Sequence, residues 1–127
     1  MLAYLKHHWK SVSYMLVVLY LSFAPPSDFN KFPPIQIANL DKYVHLIMYS
    51  VLAAILIVDY RSYYSTKNKQ LLFIIFFFCA IFGGVIELIQ EKWFYPRSAE
   101  WIDWFADIVG SLLGIFFMYI NQNRLKS

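Results

Sequence analysis

Residues 83–114, GGVIELIQEKWFYPRSAEWIDWFADIVGSLLG, decide the fold class of this chain. One apolar segment ends with Glu87 and Gln90, and after a short aromatic stretch the next apolar segment begins with Asp103 and Asp107. Ionisable groups are costly inside a membrane unless they face a protein interior or a wet cavity. The stretch therefore predicts two membrane helices joined at one membrane surface, with a candidate site between them.

Composition points to the same class of protein. The chain has 127 residues, of which 60% are hydrophobic and only 15% charged. Its length leaves room for one domain, residues 1–127. A small soluble domain exposes a large share of its surface and cannot hide this much apolar material. The apolar residues also form long blocks of roughly membrane-spanning length, which predicts an integral membrane protein.

Four apolar blocks predict an all-α, four-helix membrane bundle with short loops and spans at about 11–24, 41–58, 71–90 and 99–120. The basic start before the first block resembles a signal peptide, and Ser22 and Ala24 imitate a cleavage site. Pro25 would follow the cut and hinder processing, so an uncleaved first span is expected. Residues 59–70 are predicted to form a polar loop.

The distribution of basic residues predicts the orientation. The N-terminus, the second loop and the tail hold seven Lys and Arg residues, and the first and third loops hold four. Because basic loops stay on the cytoplasmic side, both termini are predicted to be cytoplasmic (N-in and C-in). The net charge of +3 does not indicate nucleic-acid binding, since the basic residues lie between the apolar blocks and form no single patch. Cys79 lies alone in an apolar run, so no internal disulfide is possible and packing is its expected role.

Helical spacing gathers the polar residues at one membrane depth. Asp41, His45 and Tyr49 follow at i, i+4 and i+8, while Asp103 and Asp107 are i, i+4 neighbours whose stripe continues to two glycines. With the predicted topology, all of these groups lie at the outer leaflet. The predicted cluster comprises Asp41, Lys42, His45, Tyr49, Glu87, Gln90, Arg97, Glu100, Asp103 and Asp107.

Four motifs in this order resemble the VanZ-like family of small bacterial membrane proteins. They are D-K-Y-V-H-x-x-x-Y at 41–49, G-x-x-E-x-x-Q at 84–90, P-R-S at 96–98 and D-x-x-x-D-x-x-G-x-x-x-G at 103–114. One departure is Asp107, where the family more often has Asn. The resemblance implies a cell-envelope role in the bacterial cytoplasmic membrane, because the family's namesake is associated with teicoplanin resistance. It implies no particular reaction.

The leading hypothesis is a site for a lipid-linked cell-wall precursor or an anionic lipid head group. Lys42 and Arg97 are the expected head-group contacts, and Arg suits bidentate phosphate binding. Four candidates for acid–base or ligand roles are Asp41, His45, Glu87 and Asp103. Further substrate-binding candidates are Tyr49, Gln90 and Asp107. Whether the chain is an enzyme stays open at this point.

Other interpretations remain beside this one. His and carboxylates can hold a divalent ion, but the sequence has no compact metal spacing such as H-E-x-x-H, so a metal cofactor is not favoured. A non-catalytic protein that binds a partner or lipid would use the same contacts. A small proton-coupled exporter is disfavoured because residues 11–24 contain no acid. In a purely structural interpretation, Asp41 caps a helix, Lys42 and Arg97 pair with carboxylates, and Tyr49 is an interfacial aromatic residue.

Overall fold

The computed structural model describes residues 1–24, 40–64, 69–93 and 100–124. These residues form five helices and no strand: α1 (Leu2–His7), α2 (Trp9–Phe23), α3 (Leu40–Tyr64), α4 (Lys69–Trp93) and α5 (Trp101–Arg124). The prediction of an all-α chain is confirmed for this part of the sequence. The prediction of a loop from residue 59 to residue 70 is wrong at both ends, since α3 continues to Tyr64 and α4 begins at Lys69.

Three of the helices are long and apolar enough to cross a membrane. The segments are Leu40–Arg61, Lys69–Trp93 and Trp101–Gln122. Many large apolar side chains on these helices point outward, and Phe73, Phe105 and Phe116 are each more than 60% exposed. Soluble monomers rarely carry such extended apolar surfaces. Helix length and surface together point to a membrane protein.

Helix α2 is shorter than the other three long helices. Its 15 residues rise by about 22 Å, against roughly 30 Å for a hydrocarbon core. It follows α1 after a break at His8, whose backbone has φ −103° and ψ 23°. His8 is buried, and its ring centroid lies 4.5 Å from that of Tyr4 and 4.7 Å from that of Tyr60. The break is therefore packed against α3.

Helices α3 and α5 form the most extensive helix pair and run in the same direction. Gly110 lies against the backbone carbonyl of Leu46, and Gly114 lies against that of Ser50. The Ser50 hydroxyl donates a 2.7 Å hydrogen bond to the Gly110 carbonyl oxygen. A Cβ at either glycine would overlap the facing carbonyl, so close approach of these two backbones requires glycine. These two glycines therefore serve the packing of α3 against α5.

Polar contacts fix α2 at both of its ends. Near its start, the Ser11 backbone N–H and hydroxyl both donate to Asp59 Oδ2, at 2.9 and 2.7 Å. Near its end, Gln90 Nε2 of α4 donates a 2.6 Å hydrogen bond to the Ser22 carbonyl oxygen. Helix α2 therefore runs opposite to α3 and ends beside the last turns of α4. Asp59, predicted in a loop, is a buried helical residue that links α2 to α3.

The apolar core lies between α2, α3 and α4. Its fully enclosed members include Val18, Leu52, Ile57 and Cys79, which confirms the packing role expected for the cysteine. Tyr49 belongs to the same core and is 1% exposed. It is therefore neither an interfacial aromatic residue nor an open contact for a ligand.

Candidate functional site

The polar cluster is the set of seven ionisable residues at the starts of α3 and α5 and the end of α4: Asp41, Lys42, His45, Glu87, Glu100, Asp103 and Asp107. The three helices bring these groups together because α3 and α5 begin at the end of the molecule where α4 finishes. His45 on α3 and the two aspartates of α5, Asp103 and Asp107, lie where these helices pack together, and the two aspartates are one turn apart. The cluster divides into an outer and an inner part.

Lys42 is the centre of the outer part. Its ammonium nitrogen lies 3.1 Å from Asp41 Oδ2, 3.1 Å from Glu100 Oε2 and 3.5 Å from Asp103 Oδ1. The Asp41 and Glu100 side chains are about half exposed, whereas that of Asp103 is 13% exposed. Lys42 is thus shared by three carboxylates, as the structural interpretation of this residue had anticipated. Asp41 lies inside the first turn of α3, which begins at Leu40.

His45 and Asp107 form the inner part with Glu87. His45 Nδ1 lies 2.8 Å from Asp107 Oδ1, within hydrogen-bonding distance, and His45 Nε2 lies 4.0 Å from Asp103 Oδ2. The Asp107 side chain is 1% exposed, which makes it the most deeply buried acid of the cluster. Carboxylates of this kind orient a histidine ring and fix its tautomer. The His45 imidazole thus has the Asp107 carboxylate near Nδ1 and the Asp103 carboxylate on the side of Nε2.

Glu87 closes the inner part from α4. Its Oε2 accepts a 3.1 Å hydrogen bond from the backbone N–H of Glu100, but its buried Oε1 has no hydrogen-bond partner among the described residues. One ligand atom each from His45, Glu87 and Asp107 lies within 4.8 Å of the other two. Gly83 makes room for this arrangement, since a Cβ there would lie 2.6 Å from Asp107 Oδ2. At Gly83 the close neighbour is therefore a carboxylate and not a helix backbone.

Three of the predicted site residues have a different outcome. Tyr49 lies in the apolar core, and Gln90 uses its amide to bind α2 through the Ser22 carbonyl oxygen. Both therefore contribute to packing between helices in this structure. Arg97 lies outside the described residues. The remaining seven residues of the predicted cluster make up the polar cluster.

A second polar group lies at the opposite end of the helices, and sequence reasoning missed it. It contains Ser11, Asp59 and the paired hydroxyls of Tyr4 and Tyr60, which lie 2.9 Å apart. One feature of the sequence could have indicated this group: Asp59 directly follows the apolar run 51–58. If the helix continues by one more turn, this acid becomes a helical residue that packing can bury. Asp59 accepts two hydrogen bonds from the first turns of α2, so its role is structural.

An apolar groove of about 660 Å³ runs along α3 and α5, away from the polar cluster. It is lined by side chains such as Val51, Leu113, Phe116 and Phe117. These residues lie on α3 and α5 within the segments that are long and apolar enough to cross a membrane. The groove therefore has the character of a lipid-facing surface, and the chemistry of the molecule is concentrated in the polar cluster.

None of the protein-family models, curated proteins or solved structures compared with this chain matches it. The resemblance to the VanZ-like family therefore stays a prediction from the four motifs. The interpretation of the site depends on its own chemistry. That chemistry is a half-buried histidine beside two aspartates, a buried glutamate with one oxygen that has no hydrogen-bond partner among the described residues, and a lysine bound by three carboxylates.

Proposed function

We propose that this chain is a VanZ-like protein of the bacterial cytoplasmic membrane, with α2, α3, α4 and α5 as four spans and both termini in the cytoplasm. The excess of Lys and Arg at the N-terminus, second loop and tail supports this orientation. The opposed directions of α2 and α3, and of α4 and α5, are those of an up-and-down bundle. The polar cluster then opens at the outer surface of the membrane.

The proposed activity is binding, with or without modification, of a lipid-linked or glycopeptide-related ligand at the polar cluster, which lowers susceptibility to teicoplanin. One observation carries the proposal: Glu87 and Asp107 are 5% and 1% exposed and yet converge on His45 inside apolar helices. Buried carboxylates destabilise a membrane helix, and they are retained in transmembrane segments mainly where they act on a ligand or ion.

The charge of the cluster narrows the kind of contact it makes. Its seven described side chains include five carboxylates, against Lys42 and His45. Lys42 is already engaged, so it is not a free partner for a phosphate. The cluster itself contacts cationic or hydrogen-bond-donating groups of the ligand. Arg97 remains the proposed contact for a phosphate, since its guanidinium suits bidentate binding.

The inner part also suits proton transfer. His45 Nδ1 lies within hydrogen-bonding distance of Asp107, so the two groups can exchange a proton directly. His45 Nε2 lies 4.0 Å from Asp103, too far for a direct hydrogen bond, so a proton leaves that side through a ligand group or a bridging water. This arrangement favours an acid–base role for His45 if the protein modifies its ligand. A non-catalytic envelope protein that binds the same ligand is the second candidate, because the burial of Glu87 is explained by binding alone.

Antibiotic susceptibility tests the proposal. Cells that express the wild-type chain are compared with cells carrying an empty vector, for teicoplanin and for vancomycin. We expect wild type to raise the minimum inhibitory concentration of teicoplanin. Glu87→Gln, Asp103→Asn and Arg97→Ala are expected to return it to the empty-vector value, because each removes a charge from the proposed site.

Glu91→Gln is the matched control. It makes the same chemical change on an exposed position one turn after Glu87, so it is expected to protect as wild type does. Membrane abundance of each variant is measured by immunoblot. If Glu87→Gln protects as well as Glu91→Gln at equal abundance, the polar cluster is not the site of protection. No protection by the wild-type chain would remove the teicoplanin role.

A further inference from the structure

We propose that His45, Glu87 and Asp107 bind a divalent transition-metal ion of the Zn²⁺ class. The inference deepens the proposed function and rests on it for biological meaning, but the binding itself is measured independently. The ligand set is one imidazole and two carboxylates, which are established donor types for Zn²⁺. The three residues come from three different helices, so no compact sequence spacing could announce them.

The distances between the donor atoms suit coordination. One ligand atom from each residue lies within 4.8 Å of the other two, and the His45 Nδ1 to Asp107 Oδ1 distance is 2.8 Å. Two bonds of about 2.1 Å at the tetrahedral angle separate adjacent ligand atoms by about 3.4 Å. An ion can therefore take the place of the proton between His45 and Asp107 once this separation widens by about 0.6 Å, and His45 then serves as a metal ligand instead of an acid–base group.

Glu87 supplies an independent sign of a ligand. Glu87 is 5% exposed, and its Oε1 has no hydrogen-bond partner in the described part of the chain. A buried carboxylate oxygen without a partner is strongly destabilising, so such atoms are rare in folded proteins. Coordination by a cation removes this cost. The same carboxylate is held in place through Oε2 by the backbone N–H of Glu100.

The outer part of the cluster is a poorer metal site. Asp41, Glu100 and Asp103 also bring ligand atoms within 4.8 Å of one another. The Lys42 ammonium already lies 3.1–3.5 Å from an oxygen of each of them and supplies the positive charge that an ion would bring. The inner part has no lysine within salt-bridge distance of Glu87 or Asp107 among the described residues. A metal ion is therefore assigned to the inner part.

The imidazole decides the class of ion. Ca²⁺ and Mg²⁺ prefer oxygen ligands throughout, whereas Zn²⁺ accepts nitrogen readily. Three protein ligands also leave an open position, the arrangement found in catalytic zinc sites. An ion there can hold a phosphate or carbonyl oxygen of the ligand and polarise it. It would also explain how a cluster rich in carboxylates accepts an anionic lipid-linked ligand.

The test measures metal bound to the purified full-length protein in detergent. The protein is stripped with a chelator, loaded with Zn²⁺, dialysed and analysed by elemental mass spectrometry. We expect about one Zn²⁺ per chain, as a single site requires. Mg²⁺ and Ca²⁺ in excess should not displace it. Glu87→Gln and Asp107→Asn should each weaken Zn²⁺ binding by at least about tenfold, whereas Glu91→Gln should bind as wild type does.

Every outcome decides the inference. A wild-type chain that retains no Zn²⁺, or loses it to Mg²⁺ or Ca²⁺, overturns it whether or not the variants fold. So does a Glu87→Gln protein that keeps the wild-type elution profile in detergent and the wild-type Zn²⁺ affinity. Zinc binding without protection against teicoplanin supports the metal site and contradicts the proposed function. Protection against teicoplanin by a wild-type chain that binds no Zn²⁺ supports the proposed function and contradicts the metal site.

Discussion

Glu87 shows most clearly how single residues of this chain sacrifice stability for the arrangement of the site. Its carboxylate is buried, and one of its two oxygens has no partner among the described residues. Asp107, by contrast, is equally buried but shares its Oδ1 with His45. The two acids differ in what they contribute to the fold, although both are placed to contact one ligand. A residue that is costly to the fold and convergent on its neighbours is best explained by function.

Glu87→Gln is therefore expected to leave the protein as stable as wild type or to make it more stable. The amide keeps an oxygen that can accept the Glu100 N–H bond, and it removes a buried charge next to two aspartates. Stability that rises when function falls is typical of active-site residues. The measurement is the thermal unfolding midpoint of purified protein in detergent without added metal. A marked drop in this midpoint, absent from Glu91→Gln, would mean that Glu87 serves the fold.

At the scale of the helices, the pairing of α3 with α5 determines whether the site forms. His45 and Asp107 meet only because Gly110 and Gly114 let the two backbones approach, one and two turns beyond the site. Small residues at such positions replace the hydrophobic driving force that helices lack inside a membrane. The glycine stripe and the acidic stripe of α5 are continuous along one face. Packing and chemistry therefore depend on the same helix face.

Gly110→Ala is expected to separate α3 from α5, because the added methyl group would overlap the Leu46 carbonyl. Overpacking of this kind costs about 1–3 kcal/mol of stability. The facing group is the backbone of α3, which cannot move aside as easily as a flexible side chain can. Gly84→Ala is the matched control: its Cβ would lie 3.2 Å from the Trp104 side chain, and alanine returns about 1 kcal/mol of helix propensity. Thermal unfolding in detergent distinguishes them. Equal midpoints for the two variants would contradict the close α3–α5 pairing.

The sequence predicts the helices and the polar stripes well, because both depend on local spacing. Apolar blocks located the starts of α3, α4 and α5 to within two residues, although α3 continues six residues past its predicted end. The i, i+4 spacing placed His45 and Asp107 on faces that meet. Asp59 was assigned to a loop because an acid after an apolar run indicates the end of a buried segment. Its hydrogen-bond partner, Ser11, lies 48 positions away in the chain. No local pattern reveals such a contact.

The same limit explains the other two differences. Gln90 was placed in the site by its spacing from Glu87, but its amide faces α2 and the Ser22 carbonyl oxygen. Tyr49 follows His45 at the same spacing by which His45 follows Asp41, but by that depth the face of α3 is enclosed by apolar core. Spacing identifies the face of a helix. Which neighbour covers that face at each level is decided by tertiary packing.

At the scale of the whole molecule, the two polar groups have different meanings. The group around Asp59 and Ser11 is satisfied by its own hydrogen bonds and fastens α2 to α3. The polar cluster at the other end has a net excess of carboxylates, and Glu87 Oε1 has no hydrogen-bond partner in the part of the chain that the structure describes. In the proposed orientation the fastened end faces the cytoplasm and the cluster faces the exterior, where a cell-envelope ligand is available. Access of such a ligand to the polar cluster depends on this orientation.

Cysteine labelling in spheroplasts tests that orientation most directly. Lys92→Cys and Lys10→Cys place single exposed thiols near the cluster end and the opposite end, in a chain whose buried Cys79 is replaced by serine. We expect a membrane-impermeant maleimide to label Lys92→Cys in intact spheroplasts and Lys10→Cys only after the membrane is opened. Labelling of Lys10→Cys but not Lys92→Cys in intact spheroplasts would place the polar cluster in the cytoplasm and contradict an outward-facing site.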